Sequence, residues 1–167
     1  MVYLKVKKLK EEAVILSKRE EDAGYDIYGL LENDFLILKS GEIKLFSTGL
    51  ALEIPKEWVF YIAERGSTGS KGISKRAGVI DSGYRGEVFI AINNTSNKVI
   101  VFHKKNGEEL NNFLEENSLD MNSITLYPMS KAIAQGFLIN VPHVDIEIVN
   151  ELSTSKRGEG MLGSSGK

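Results

Sequence analysis

The stretch Gly78-Val79-Ile80-Asp81-Ser82-Gly83-Tyr84-Arg85-Gly86-Glu87-Val88 decides how this chain is read. An apolar Val-Ile pair runs into Asp81, two glycines bracket Tyr84-Arg85, and an apolar run resumes at Val88. The pattern is strand, turn, strand. Asp-Ser-Gly-Tyr is a good turn sequence, and on that reading Asp81 only shapes a hairpin. A carboxylate between two hydrophobic strands is also where packing alone would not place one, which makes Asp81 a candidate for chemistry. Both readings stay open at this level.

Working outward, the periodicity remains mostly two. Val2, Leu4 and Val6 alternate with Tyr3, Lys5 and Lys7. Phe35 to Leu38, Ile43 to Phe46, Leu50 to Ile54, Trp58 to Ala63, Val88 to Ile92 and Val99 to Phe102 are short β-branched or aromatic runs. Lys39-Ser40-Gly41, Pro55-Lys56-Glu57 and Asn93-Asn94 read as the turns between them. Many short strands at close spacing predict an all-β barrel or sandwich. Ser67 to Gly72 could form one helical turn. Glu108 to Asn117 places Leu110, Phe113, Leu114 and Asn117 on one helical stripe. The surrounding segment from His103 to Asn122 is polar and acidic and reads as an excursion from the β framework.

The 167 residues, 18.5 kDa, support one ordinary domain. The formal net charge of −2 gives no global basic field for a nucleic-acid backbone. The absence of cysteine excludes disulfides, thiolate zinc sites and thiol nucleophiles, and two histidines are too few for a His-rich metal site. The N-terminal stretch lacks the apolar core of a signal peptide, and no apolar run spans a bilayer. The expectation is a cytoplasmic protein that engages neither membrane nor nucleic acid.

Sixteen glycines against three prolines is the odd entry in the composition. All but Gly29, Gly41, Gly49 and Gly107 fall in five segments. These are Ala23-Gly24-Tyr25-Asp26-Ile27, Arg65 to Gly72, Gly78 to Val88, Lys131-Ala132-Ile133-Ala134-Gln135 run on to Phe137, and Arg157 to Gly166. A guanidinium beside the hydroxyls of Ser67 and Thr68 suits a phosphate, although the same residues could simply cap a short helix. The last segment is not a Walker A loop, because its Gly160-to-Gly166 spacing is one residue too long.

In this order and spacing the five segments resemble the motifs of the trimeric dUTPase family. The resemblance runs from about Val2 to the C-terminus. It implies a jelly-roll-like β-barrel of the dUTPase, or β-clip, kind with one short helix, assembled as a homotrimer. Residues 1–152 would form the barrel domain, with an insert at about 103–122. Residues 153–167 would be a mobile arm that closes a neighbouring active site. The implied activity is hydrolysis of dUTP to dUMP and pyrophosphate, which keeps uracil out of DNA and supplies dUMP for dTMP synthesis.

The same resemblance implies roles. Asp81 is the general base, Gln135 orients the water or the α-phosphate, and Arg65 neutralises the phosphates, with Ser67 and Thr68 as donors. The backbone of Gly78, Val79 and Ile80, on to Arg85, reads the uracil edge, and Tyr84 packs under the deoxyribose. Arg157 binds the γ-phosphate while Gly163, Ser164 and Ser165 close over the triphosphate. Leu162 covers the base where the family usually has Phe. Asp26 faces, through water, a Mg²⁺ chelated by the phosphates. Gly66 stands where the family usually has Ser, and Ala132 stands where it usually has a cation, which is here absent or moved to Lys131.

Two other functions fit less of the sequence. The dCTP deaminases share the fold, but Ala91-Ile92-Asn93 occupies the stretch where their catalytic Glu lies, and Glu87 is the only Glu nearby. Some phage dUTPases carry an insert at this location and bind a host repressor. The 103–122 insert is accordingly a candidate protein-binding element, through a Leu110, Phe113 and Leu114 face that could equally pack on its own barrel.

Overall fold

The computed structural model describes residues 2–159. Among them are eleven strands and two helices, arranged as three sheets around one core. One sheet has the order β1 (Lys5–Lys8), β4 (Ile43–Glu53), β8 (Glu87–Asn94), β6 (Ile73–Arg76). The second is β10 (Ile124–Pro128), β9 (Val99–His103), β3 (Phe35–Leu38). The third is β2 (Tyr25–Ile27), β11 (Ala134–Asn140), β5 (Trp58–Ala63), β7 (Val79–Ile80). This is the expected all-β jelly-roll-like architecture. No helix among the described residues is long and apolar enough to cross a membrane.

Inward-facing residues of all three sheets meet in one cluster. Phe46 and Phe102 pack with ring centres 4.8 Å apart, and Tyr127 meets Phe102 at 5.7 Å. Ile27, Phe60, Ile62, Ile73, Ile90 and Ile133 fill the space around them. These are the β-branched and aromatic residues expected of strands buried on one face.

Several turns and strand ends differ from the sequence reading. Ile43–Phe46 and Leu50 to Glu53 belong to one strand, β4, with Gly49 at φ +66° where the pairing with β8 shifts register, and Ile54 lies just past its end. Asn93 and Asn94 are not a turn. They end β8 in the interior, where their amides donate to the carbonyls of Gly41, Glu42, Leu38 and Lys98.

Both helical candidates form, α1 (Gly66–Gly69) and α2 (Glu108–Glu116), where the family resemblance implied one short helix. The 103–122 excursion has a topological reason. β9 and β10 pair in parallel, and parallel neighbours need a crossover, which α2 supplies. Leu110 and Leu114 are buried against Val101 and Ile124, and Phe113 stacks on Phe35 at 4.2 Å. The apolar face of the insert is therefore spent on its own barrel. The exposed face presents Glu108, Glu109, Glu115 and Glu116.

Candidate active site

Three neighbouring strands bring the first group of motif residues together. Asp26 on β2 lies opposite Gln135 on β11, and Gln135 lies opposite Ala63 on β5, two residues before Arg65. At the approach to β2 the Gly24 backbone passes close to the Gln135 side chain: a β-carbon there would sit 2.7 Å from Oε1 and would displace the Gln135 amide. Gln135 Nε2 donates to the Glu64 carbonyl at 2.8 Å, which fixes the amide beside the Arg65 loop.

The Arg65 guanidinium organises this group. Its Nε lies 3.0 Å from Asp26 Oδ1, and its Nη2 donates to Oδ2 at 3.3 Å. Nη1 donates to the Ala132 carbonyl at 3.1 Å and to Ser67 Oγ at 3.4 Å. Ala132 thus contributes its carbonyl rather than a side-chain cation. The buried Tyr127 hydroxyl donates to the same carbonyl at 2.7 Å. Burial pushes the Tyr127 phenol above its usual range, outweighing the opposing pull of Arg65, so it stays a donor near neutrality.

Ser67 and Thr68 separate at this level. Ser67 is exposed on α1 and lines the cleft. Thr68 is fully buried, and its hydroxyl accepts from the Arg65 N–H at 3.1 Å and donates to the Arg65 carbonyl at 3.0 Å. Thr68 therefore holds the loop shape and does not face the cleft as a phosphate donor, contrary to expectation.

Asp26, Arg65, Gly66, Ser67 and Gln135 line an open cleft of about 700 Å³. Its other wall comes from the 17–24 segment, including Lys18, Arg19 and Asp22. Sequence reasoning missed that wall. The only signal was a Lys-Arg pair shortly before the Gly-Tyr-Asp motif, and Arg19 is already paired with Asp22 at 2.8 Å.

Asp81 lies elsewhere. It follows β7, which among the described residues pairs only with β5 through Phe60–Ile80 and Tyr61–Val79, whereas β8 pairs with β4 and β6. The two strands flanking Asp81 belong to different sheets, so the expected hairpin is instead a crossing between sheets. Among the described residues β7 is the edge of its sheet, which leaves one backbone edge of Val79 and Ile80 without a strand partner. Gly78 is tied to β5 through its carbonyl, which accepts from the Ile62 N–H at 2.8 Å.

Beyond the turn, the Tyr84 N–H donates to the Asp81 carbonyl at 3.0 Å. The Tyr84 hydroxyl donates to the Glu87 carbonyl at 2.8 Å, with the ring folded over Gly86. Arg85 Nη1 donates to the Ser82 and Tyr84 carbonyls at 2.6 and 2.8 Å. Among the described residues the Asp81 carboxylate makes no ion pair, and it lines a second open cleft of about 520 Å³ with Trp58, Val79, Ser82 and His143. Among the described residues the two clefts share no lining residue. Arg157 is exposed on the segment after β11 and lines neither. Leu162, Gly163, Ser164 and Ser165 lie outside the described residues.

The dUTPase family model matches residues 10–106, more than half of the chain. A deoxyuridine 5'-triphosphate nucleotidohydrolase of Nautilia profundicola is 34% identical, with 98% of this chain and 99% of that protein covered. The chain belongs to the dUTPase family. A second nucleotidohydrolase of the same description, from Clostridioides difficile, is 31% identical over 99% of each chain. Among solved structures, the dUTPase of Staphylococcus bacteriophage 80alpha with dUPNHPP superposes with a TM-score of 0.76 at 27% identity, covering 99% of both chains. The activity is accordingly that of a dUTP-hydrolysing enzyme.

Glu87 bears on the deaminase alternative. It accepts from the Ser47 hydroxyl, accepts from the Gly49 N–H at 2.9 Å, and lies 3.9 Å from Lys10 Nζ. The bond from Ser47 holds its carboxyl below the usual range. Glu87 is thus committed to the irregular part of β4 rather than presented to a ligand.

Proposed function

We propose that this dUTPase hydrolyses dUTP to dUMP and pyrophosphate in sites assembled between subunits of a homotrimer, each site joining the Asp81 loop of one subunit to the Arg65 cleft of another. The observation that carries the reading is the division of the motif residues between two clefts with no common wall. Exposed apolar residues support assembly. Ile43, Leu45 and Phe89 share the outer face of β4 and β8. Val144, Ile146 and Ile148 alternate along an exposed segment without regular secondary structure after β11.

In this reading Asp81 takes the proton of a water that attacks the α-phosphorus in line. The bond to the oxygen bridging the α- and β-phosphates breaks, and that oxygen leaves with pyrophosphate. Arg65 and Ser67 bind the phosphates, Gln135 orients the water or the α-phosphate, and Arg157 from the 153–167 arm reaches the γ-phosphate. The open edge of β7 recognises uracil through backbone groups, and Tyr84 lies under the sugar. Leu162 and the Gly163-Ser164-Ser165 segment complete the closure.

Mg²⁺ fits the donor set. Asp26 is a half-buried carboxylate facing the same cleft as Arg65 and Ser67, which suits a cation held mainly by phosphates and water. When bound, the ion would neutralise the phosphate oxygens. A protein partner recruited by the insert would meet the exposed acidic face of α2, since its apolar face is covered.

Mixed trimers test the shared site. Asp81→Asn and Arg65→Gln chains, each strongly impaired alone, are unfolded and refolded together. Random assembly of equal amounts places both wild-type groups in about a quarter of the sites if they come from different subunits, and in none if they come from one. Activity no higher than that of the separate variants would defeat the shared-site reading.

A further inference from the structure

Lys75 lies in β6, outside all five glycine-rich segments, yet its ammonium reaches the approach to the Asp81 loop. Nζ donates to the Ala77 carbonyl at 2.8 Å and to the Tyr61 hydroxyl at 3.0 Å, and stands 4.4 Å from the centre of the Tyr61 ring. Ala77 has φ +57°, in the left-handed region that residues with a β-carbon seldom occupy. Gly78 follows at φ +131°, where a β-carbon would lie 2.7 Å from the Ile62 carbonyl oxygen and 2.9 Å from Lys75 Nζ.

Ala77, in backbone that is costly for a residue with a β-carbon, and Gly78, in a conformation that glycine takes readily, together turn the chain from β6 into β7. The left-handed conformation of Ala77 persists only where the surroundings hold it. Here the holders are the Ile62 N–H on the Gly78 carbonyl and the Lys75 ammonium on the Ala77 carbonyl. β7 is two residues long, and Asp81 is the next residue. Lys75 is itself fixed, because Glu64 Oε1 accepts from its backbone N–H at 3.1 Å and from the Ser74 hydroxyl at 3.0 Å. The same part of β6 is thus fastened on one side to Glu64, beside Arg65, and on the other to Ala77, just upstream of Asp81.

We propose that Lys75 is a positioning residue for dUTP hydrolysis: it clamps the left-handed Ala77–Gly78 turn onto Tyr61 and so sets where Asp81 stands. The proposal rests on the reading of Asp81 as the base. Lys75→Met keeps the apolar stem and removes the charge and its donors. In a trimer that still binds dUPNHPP, kcat for dUTP falls about ten- to a hundredfold, and KM changes by a smaller factor. Adding Ala77→Gly to Lys75→Met recovers about threefold or more of kcat, because glycine takes φ +57° without a clamp. A merely structural lysine predicts neither the split nor the recovery.

The proposal is overturned if folded Lys75→Met keeps kcat within about twofold of wild type, or if the double variant is as slow as the single one. If Lys75→Met yields no folded trimer, Tyr61→Phe decides, since it deletes only the hydroxyl that accepts from Lys75. A fall in kcat of about threefold or more supports the clamp, and an unchanged kcat overturns it. A wild-type chain that fails to turn over dUTP removes the underlying reading and the proposal with it. Wild-type turnover with an unaffected Lys75→Met removes only the role of Lys75.

Discussion

Truncating Leu114 to alanine removes three buried carbons from the cluster that fastens α2 to the barrel. Leu114 is 5% exposed and packs with Val101, Leu110 and Ile124. Transfer of three methylene-sized groups amounts to about 2.4 kcal/mol at ~0.8 kcal/mol each. Incomplete collapse of the cavity brings the expected destabilisation to about 3 kcal/mol. Urea unfolding at fixed protein concentration measures it, provided the dependence on denaturant stays parallel to wild type. The cluster shares no residue with either cleft. Turnover of dUTP by the folded variant at 25 °C should therefore stay within about twofold of wild type. A loss below about 1 kcal/mol would refute the docking of α2 on its own barrel.

Arg65→Gln removes the guanidinium that holds Asp26, Ala132 and Ser67, and kcat/KM should fall about 10²- to 10³-fold. Steady-state pyrophosphate release checks this, and a fall below tenfold would contradict the role. Deleting residues 153–167 should leave a folded trimer with little turnover, and full activity in that truncation would remove the arm from the site. The acid limb of stability depends on Glu87 and Glu64. The Ser47 bond lowers Glu87, whereas at Glu64 burial opposes ionisation and is outweighed by bonds from its surroundings, Ser74 and Lys75 included. A carboxyl depressed in the folded state stabilises above its unfolded value and loses that contribution as pH falls through its folded value. Stability should hold from neutrality to about pH 5 and decline below about pH 4. Glu87→Gln should flatten the decline, and equal slopes for variant and wild type would contradict this.

The strands with strong β-branched or aromatic content, β3, β5 and β9, were legible from the sequence. So were the two helices, since Leu110 and Leu114 announce α2 by spacing. The parallel pairing of β9 with β10 was not, because periodicity shows that a strand exists and not which neighbour it meets. β11 begins Ala134-Gln135-Gly136, a sequence of low strand propensity, and is a strand because β2 and β5 pair with it on both sides. Asn93 and Asn94 look like a turn until the carbonyls that their buried amides satisfy are known. Thr68 shows the same limit at the site, since a hydroxyl in a glycine-rich loop can face a ligand or its own backbone. Asp26, Arg65 and Gln135 were legible as partners only through the motif order. Their separation from Asp81 emerges only when β7 and β8 are seen to join different sheets.

Pyrophosphate release by wild type and Asp81→Asn, each offered dUTP, dCTP and dTTP, tests the account most directly. Wild type should turn over dUTP in clear preference to the other two and release no ammonia from dCTP. Folded Asp81→Asn should still bind dUPNHPP while its dUTP turnover falls about 10²- to 10⁴-fold. Turnover by Asp81→Asn within about tenfold of wild type, or equal use of the three nucleotides by wild type, would contradict the account.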